Sequence, residues 1–406
     1  MKKTSITFLI IIFLFNFTTI SLAINNYMWS TIETSAEVTS GTPVAEENNN
    51  SLGLECGSAI LIEQKTGQIL YSHNVHEQLR PASVTKVMSI LLIMEQIEKG
   101  NITYETKIPC SNKAAGMGGS QIWLNTTETL SVNDMLKAIC VASANDCVMA
   151  MAEYIGGSEE GFVELMNAKA KELGMNDTTF KNCHGLDEDG HVTSSNDIAL
   201  MSRELLNKYP EITKYTTIYM DTLRDGKSEL VNTNKLVRNY EGCTGLKTGS
   251  TSLALYNLSA SATRNDLSLI AVIMKAPTSQ KRFEEAEKLL NYGFSKFEYK
   301  EFAKAGDKLK SCDVAKGITS KVDAVFEKDI GVLIEKGKSN NISQTITLNE
   351  ELAAPISKGE KIGEVVYSLN DQTLITADLI SKEEIKKLNM FSMSAKVYEK
   401  WLNLLR

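Results

Sequence analysis

The sequence predicts an α+β domain followed by a small β-rich domain. Two observations carry the first part. Short β-like apolar runs open the body of the chain near Cys56 and return after Gly249, and amphipathic helical segments lie between them. Strands at both ends of a helical stretch fit a single sheet built from the two ends of the segment. The third observation concerns the rest. Beyond residue 300 short apolar runs alternate with Gly, Lys, Asn and Asp turns, the pattern of an all-β module.

Composition bounds the class. The 406 residues allow two to three domains. A hydrophobic content of 43% and a charged content of 23% are those of a globular protein. A net charge of -7 argues against a general nucleic-acid binder, which carries a basic domain or stripe.

The N-terminus, 1–23, reads as a secretory signal. Lys2-Lys3 is the positive start, Ile6 to Phe15 is a nearly unbroken apolar run, and Ser21-Leu22-Ala23 ends it with small residues. An uncleaved membrane anchor is the alternative. Either way the bulk of the chain is expected outside the cytoplasm. Residues 24–55 are rich in Thr, Ser, Glu and Asn and read as a disordered spacer.

The 56–298 domain follows. Ser58–Glu63 and Gln68–Ser72 are strand-like, with Lys65-Thr66-Gly67 as their turn. Val84 to Glu98 is helical and stops at Lys99-Gly100. Further helices are predicted over Val132–Ser143, Asp146–Ile155, Glu159–Leu173 and Asn196–Lys208. Strands over Leu253–Ala262 and Leu267–Met274 and a helix from Ser279 to Phe294 complete the domain.

The β-rich domain is placed at 299–382, with strands near 330–334, 342–348, 361–367 and 373–377. In the last segment, 383–406, Phe391, Ala395, Tyr398, Leu402 and Leu405 form an apolar stripe widened by Val397, Trp401 and Leu404. This predicts an amphipathic helix lying on a membrane surface. A terminal helix packed on the β module is the alternative. Seven scattered cysteines without metal-like spacing read mostly as buried free thiols.

Three short motifs carry chemistry. Ser83-Val84-Thr85-Lys86 sets a hydroxyl and an amine one turn apart at a helix start. A serine becomes a nucleophile when a base takes its proton, and a lysine can be that base if burial keeps it partly neutral. Ser143-Ala144-Asn145 falls at a break between helices. It suits capping, or a proton-relaying hydroxyl beside an amide that holds substrate. Lys247-Thr248-Gly249 directly precedes a strand-like run. It suits a plain turn, or a carboxylate site beside an edge strand that receives an extended peptide. Lys65-Thr66-Gly67 repeats the letters and is assigned to a hairpin.

In this order the three motifs are the signature of penicillin-binding proteins and class A β-lactamases. Gly119-Ser-Gln-Ile-Trp-Leu124, Asn182-Cys-His-Gly-Leu-Asp187, Gly190-His191 and Leu289-Leu-Asn-Tyr-Gly-Phe294 narrow it. With them the chain resembles the serine-type D-alanyl-D-alanine carboxypeptidases, low-molecular-mass penicillin-binding proteins of bacterial cell walls. Leu352-Ala-Ala-Pro-Ile356 and Lys358-Gly-Glu-Lys-Ile-Gly363 resemble their β-rich C-terminal domain.

The resemblance implies a β-lactamase/DD-peptidase-like fold with an antiparallel sheet, and an acyl-enzyme on Ser83 with Lys86 as base. Ser143 and Asn145 would relay protons and position substrate. Lys247 and Thr248 would bind the terminal carboxylate, with Gly249 admitting the substrate backbone. The N–H groups of Ser83 and Ser250 would form the oxyanion hole, and Arg282 would assist at the carboxylate or form a plain salt bridge. No cofactor or metal is implied. The implied partners are peptidoglycan stem peptides, β-lactams as covalent inhibitors, and the membrane through the C-terminal helix. Ser250-Thr-Ser-Leu253 departs from the acidic and glycine residues expected after the third motif. His184 and His191 are read as structural.

Two other functions are weighed. A class A-like β-lactamase needs a deacylating glutamate in E-x-x-L-N between the second and third motifs. Glu287-Lys-Leu-Leu-Asn291 lies after the third motif, and Glu204-Leu-Leu-Asn207 is one residue short. Slow β-lactam hydrolysis is therefore expected. A non-catalytic wall-binding protein would not need all three motifs.

Overall fold

A computed structural model describes residues 50–349 and 351–390, with 393, 394, 398 and 401 of the C-terminal segment. The predicted signal, the spacer as far as 49 and most of the terminal helix lie outside the described residues. The last spacer residues belong to the fold instead. Leu54 is buried in the core, and the Asn50 side chain bonds the Leu54 backbone in both directions, at 2.9 and 2.7 Å.

The expected sheet from both ends of the segment is present. Its order is Ile69–His73, Ser58–Glu63, Leu267–Ala276, Leu255–Arg264, Cys243–Thr251, with every neighbouring pair antiparallel. Ser58–Glu63 is buried on both faces, which explains its unbroken apolar run. Ile60 and Ile62 point to the helical side, whereas Ala59 and Leu61 point to the opposite core, following the two-residue period of a strand. The opposite core is capped by the Ser279–Lys296 helix through Phe283, Ala286, Leu289 and Leu290.

On the helical side, Lys86–Glu98, Val132–Val141, Asn145–Gly156, Glu159–Glu172 and Ser195–Lys208 surround one large core. Ser131, Ser158 and Ser194 cap three of these helices, each side chain accepting from the backbone N–H three residues on. Lys86–Glu98 is buried almost throughout. It is the central post against which the others pack.

Two corrections concern the strands. Lys247-Thr248-Gly249 lies inside the Cys243–Thr251 strand rather than before one. The stretch lacks large apolar residues because its buried positions face a polar cleft instead of a core. The following strand starts at Leu255, after a tight turn, not at Leu253.

The C-terminal part is the expected β module. Phe297–Ala303 pairs with Ile330–Glu335, and a five-stranded antiparallel sheet runs Lys308–Asp313, Lys321–Phe326, Gln372–Ser381, Lys361–Leu369, Ile342–Leu348. Leu333, Phe297 and Tyr299 pack into the core under the Ser279–Lys296 helix, joining the module to the first domain. All seven cysteines are free, and six are buried. No helix among the described residues is long and apolar enough to cross a membrane.

Candidate active site

The Ser83-Val84-Thr85-Lys86 motif follows a left-handed residue. Ala82 has a φ of 49°, and Ala82–Thr85 then form a 3-10 turn that feeds the Lys86–Glu98 helix. The sequence placed Ser83 and Lys86 on an α-helix. The tighter turn eclipses positions i and i+3, and Lys86 Nζ lies 2.9 Å from Ser83 Oγ. Lys86 Nζ also donates to the His184 carbonyl at 2.7 Å. The lysine is wholly buried. Burial, and then the nearby Lys247 charge, bring its pKa well below that of an exposed lysine. A partly neutral amine at this distance from a hydroxyl is what a general base requires.

The Cys243–Thr251 strand runs along the other side. Gly249 is pressed against the Ala82–Thr85 turn: a Cβ there would sit 2.9 Å from the backbone nitrogens of Ser83 and Val84. No larger residue fits. Lys247 is buried and donates to Thr248 O at 2.9 Å. Burial, with Arg282 acting in the same direction, lowers its pKa to about 7. Thr248 Oγ1 donates to Thr233 Oγ1 at 2.7 Å. Ser250, the next residue, is exposed on the same edge strand.

Arg282 reaches in from the Ser279–Lys296 helix and donates to Gly249 O at 3.2 Å and Asn257 O at 3.4 Å. Burial pulls it down to about 10. Among the described residues no carboxylate pairs with it, and its contacts are the Gly249 and Asn257 carbonyls. Lys86, Lys247 and Arg282 thus form a group of buried basic side chains, each lowering the next one's hold on its proton: Lys247 acts on Lys86, and Arg282 on Lys247. Such a cluster favours an anionic ligand.

Ser143-Ala144-Asn145 turns the chain between two helices. Ser143 is left-handed at φ 62°, and Asn145 is the first residue of its helix. Asn145 N donates to Ser120 O and Asn145 Nδ2 to Gly118 O, both at 2.7 Å. Two atoms remain: Ser143 Oγ and Asn145 Oδ1 are buried without a hydrogen-bond partner in the protein. Each such group costs about 1–3 kcal/mol. Thr233, bonded to Thr248, also donates its N–H to Val141 O at 3.2 Å, so the second and third motifs share a wall.

The sequence did not reveal how the 182–191 loop serves the site. Gly185 approaches Ala82 so closely that a Cβ would fall 1.9 Å from its carbonyl oxygen. Asn182 Oδ1 accepts from Gly185 N at 2.7 Å. The His184 carbonyl that holds Lys86 is positioned by its own ring. Leu186 N donates to Nδ1 at 3.1 Å, and Nε2 faces Glu159 Oε1 at 3.3 Å. Burial alone would raise Glu159, but His184 and Lys113 outweigh it and bring it to about 2. Glu159, Cys183 and His184 offer ligand-type atoms within 4.8 Å of one another. With Nδ1 accepting, Nε2 carries the proton toward Glu159, and Lys113 holds the other oxygen at 2.8 Å. These donors are committed to a hydrogen-bond chain. His191 is structural as expected: Nε2 contacts Thr85 Oγ1 at 2.8 Å, and burial lowers its pKa to about 4. The signal for the loop was its glycine and its Asn-x-His spacing, which do not announce a carbonyl contact.

Residues 44–278 match the family model described as D-alanyl-D-alanine carboxypeptidase, and 297–387 match that of the penicillin-binding protein 5 C-terminal domain. The chain is 42% identical over 359 residues to the D-alanyl-D-alanine carboxypeptidase DacF of Bacillus subtilis, covering 87% of this chain and 92% of that protein. The structure resembles penicillin-binding protein 5 of Haemophilus influenzae with a TM-score of 0.72 at 31% identity, covering 82% of this chain and 98% of that one. It also resembles penicillin-binding protein D2 of Listeria monocytogenes in its ampicillin-bound form, with a TM-score of 0.55 at 31% identity over 60% of this chain and 99% of that one.

Proposed function

The chain belongs to the serine D-alanyl-D-alanine carboxypeptidase family and is such a hydrolase, and we propose that Ser83 carries its acyl-enzyme with Lys86 as base. The observation behind this is the wholly buried Lys86, 2.9 Å from Ser83 Oγ and close to Lys247. Ser83 Oγ attacks the carbonyl between the last two D-alanines of a peptidoglycan stem pentapeptide while Lys86 takes its proton. The backbone N–H groups of Ser83 and Ser250 hold the oxyanion. Collapse forms the Ser83 ester and breaks the C–N bond. The leaving amine receives a proton through Lys86 and Ser143. Water then hydrolyses the ester by the reverse relay. Lys247, Thr248 and Arg282 bind the terminal carboxylate. Asn145 Oδ1, free of protein partners, accepts from a substrate amide N–H.

β-Lactams acylate the same serine. Neither alternative is favoured: a carboxypeptidase family, with no E-x-x-L-N between the second and third motifs of the sequence, fits slow β-lactam turnover, and the full motif set leaves no reason for a merely binding role.

We assign 1–23 to export, 24–49 to a spacer, 50–298 to the catalytic domain, 299–382 to the β-rich domain and 383–406 to a membrane-surface helix. The exposure of Met390, Met393, Tyr398 and Trp401 supports the last assignment. The enzyme then works outside the cytoplasm at the membrane face. The test is labelling by a fluorescent penicillin, with D-alanine release from diacetyl-Lys-D-Ala-D-Ala. Persistent label and release, both lost in Ser83→Ala, are expected; absence of label in the wild type overturns the reading. Deleting 386–406 should keep hydrolysis and release the mature protein from membranes.

A further inference from the structure

Trp123 is 77% exposed, and its backbone is left-handed, with a φ of 60°. A bulky residue in that conformation is an outlier that persists only where its surroundings over-determine it. They do so here on both sides. The buried Asp146 carboxylate accepts from Ile122 N at 3.1 Å and from Leu124 N at 3.0 Å. Arg224 donates to Ile122 O at 2.8 Å and is braced by Glu128 at 2.6 Å. Ile122 and Leu124 are buried, which turns the residue between them outward. The same loop supplies Gly118 O and Ser120 O to Asn145, so the indole stands within a few residues of the cleft wall.

Its surroundings indicate the ligand. Within the loop, Gly118 to Thr127, no residue is charged, and Ser120, Asn125, Thr126 and Thr127 are exposed. The charged groups against it are already engaged: Arg224 pairs with Glu128 and donates to the Ile122 and Trp123 carbonyls, and Asp146 accepts from the backbone of Ile122 and Leu124. A flat aromatic face among uncharged hydroxyls and amides suits a sugar ring, which offers an apolar C–H face and hydroxyl edges. A stem peptide, with its carboxylate and amine, would call for charged partners. We propose that Trp123 is a saccharide platform that stacks on a pyranose ring of the glycan from which the stem peptide hangs. It is a specificity residue outside the reacting dipeptide, and it rests on the peptidase reading above.

The test compares two substrates, a disaccharide-linked pentapeptide and the same pentapeptide without sugar. Trp123→Ala is expected to lower kcat/KM on the sugar-bearing substrate about tenfold, through KM, and to leave the sugar-free peptide and penicillin labelling unchanged. Trp123→Phe should retain most of the preference. Trp123→Gly, which tolerates the positive φ, should behave like Ala while keeping the loop. Equal loss on both substrates, or loss on neither, overturns the proposal. Calorimetry of the disaccharide pentapeptide with Ser83→Ala, with and without Trp123→Ala, separates the two readings. If the wild type releases no D-alanine the peptidase reading fails, whereas the platform fails only if sugar-dependent binding is indifferent to Trp123.

Discussion

The two domains bury different things. In the catalytic domain the buried set includes Lys86, Lys247, Arg282, Asp146, Asn145 and Ser143, several of them without full hydrogen bonding. From Phe297 onward, Ser381 is the one buried polar residue among those described, and the core is Val, Ile, Ala, Leu, Tyr, Phe and Cys. The cleft holds the left-handed residues Ala82 and Ser143; in the β module Asn370 and Asp371 occupy an ordinary hairpin turn, and Lys316 is the one further left-handed non-glycine among the described residues. Two unsatisfied atoms, Ser143 Oγ and Asn145 Oδ1, and two left-handed residues, Ala82 and Ser143, come together in the cleft, whereas the β module shows single cases, Glu298 Oε1 and Lys316. Substitutions should therefore trade stability and activity in opposite senses in the two regions.

The largest effect is expected at Lys86. Arginine keeps the charge but cannot lose its proton, so Lys86→Arg should lower the rate of penicillin acylation by about four orders of magnitude or more. Acylation at near wild-type rate would show that a fixed positive charge suffices and would dissolve the contrast between the domains. Ser143→Ala should come next. Its Oγ is buried without a partner, so the variant is expected to melt no lower than the wild type. Loss of a positioned relay should nonetheless lower kcat about 10²-fold. A drop in Tm with unchanged kcat would mark Ser143 as merely structural.

The pH dependence sharpens the same point. Lys247 titrates near 7 in the folded chain against 10.5 as its ordinary value. Between those values the unfolded state holds a proton that the folded state lacks, so stability rises with pH. Lys86 acts in the same direction. Above the ordinary thiol value of 9.0 the buried cysteines oppose it, because burial raises them and the unfolded chain loses protons first. Tm should therefore climb from about pH 7 toward 9, and Lys247→Met should flatten the climb. An unchanged slope would mean that Lys247 is still charged in the folded cleft.

Much of this was legible in the chain. The strand and helix periods placed most of both domains, because apolar faces repeat wherever an element packs on a core. The three motifs marked the site because Ser, Lys and Asn fall at a helix start and a helix break. What was not legible depended on cleft packing. The Lys247-Thr248-Gly249 segment is strand without an apolar pattern, since its buried side faces the site. The His184 carbonyl is a backbone group, and no side-chain pattern reports where a carbonyl points. The 3-10 turn at Ser83 begins at Ala82, whose carbonyl is packed against Gly185, a contact distant in sequence that no local pattern reports.

The smallest expected effect on chemistry belongs to the β module. Ile362 is 1% exposed in its core, beside Val365 and Leu379. Ile362→Val removes one methylene and should cost about 1 kcal/mol. The surrounding sheet has no polar network to rearrange, so the loss should stay within the module. Its contact with the catalytic domain runs through Phe297, Tyr299 and Leu333 under the Ser279–Lys296 helix, and that helix carries Arg282. Thermal melting should therefore show a lowered transition for the module while the rate of penicillin acylation holds. A matched fall in acylation would mean that Leu333 transmits module packing to Arg282, and the two regions would then be one mechanical unit.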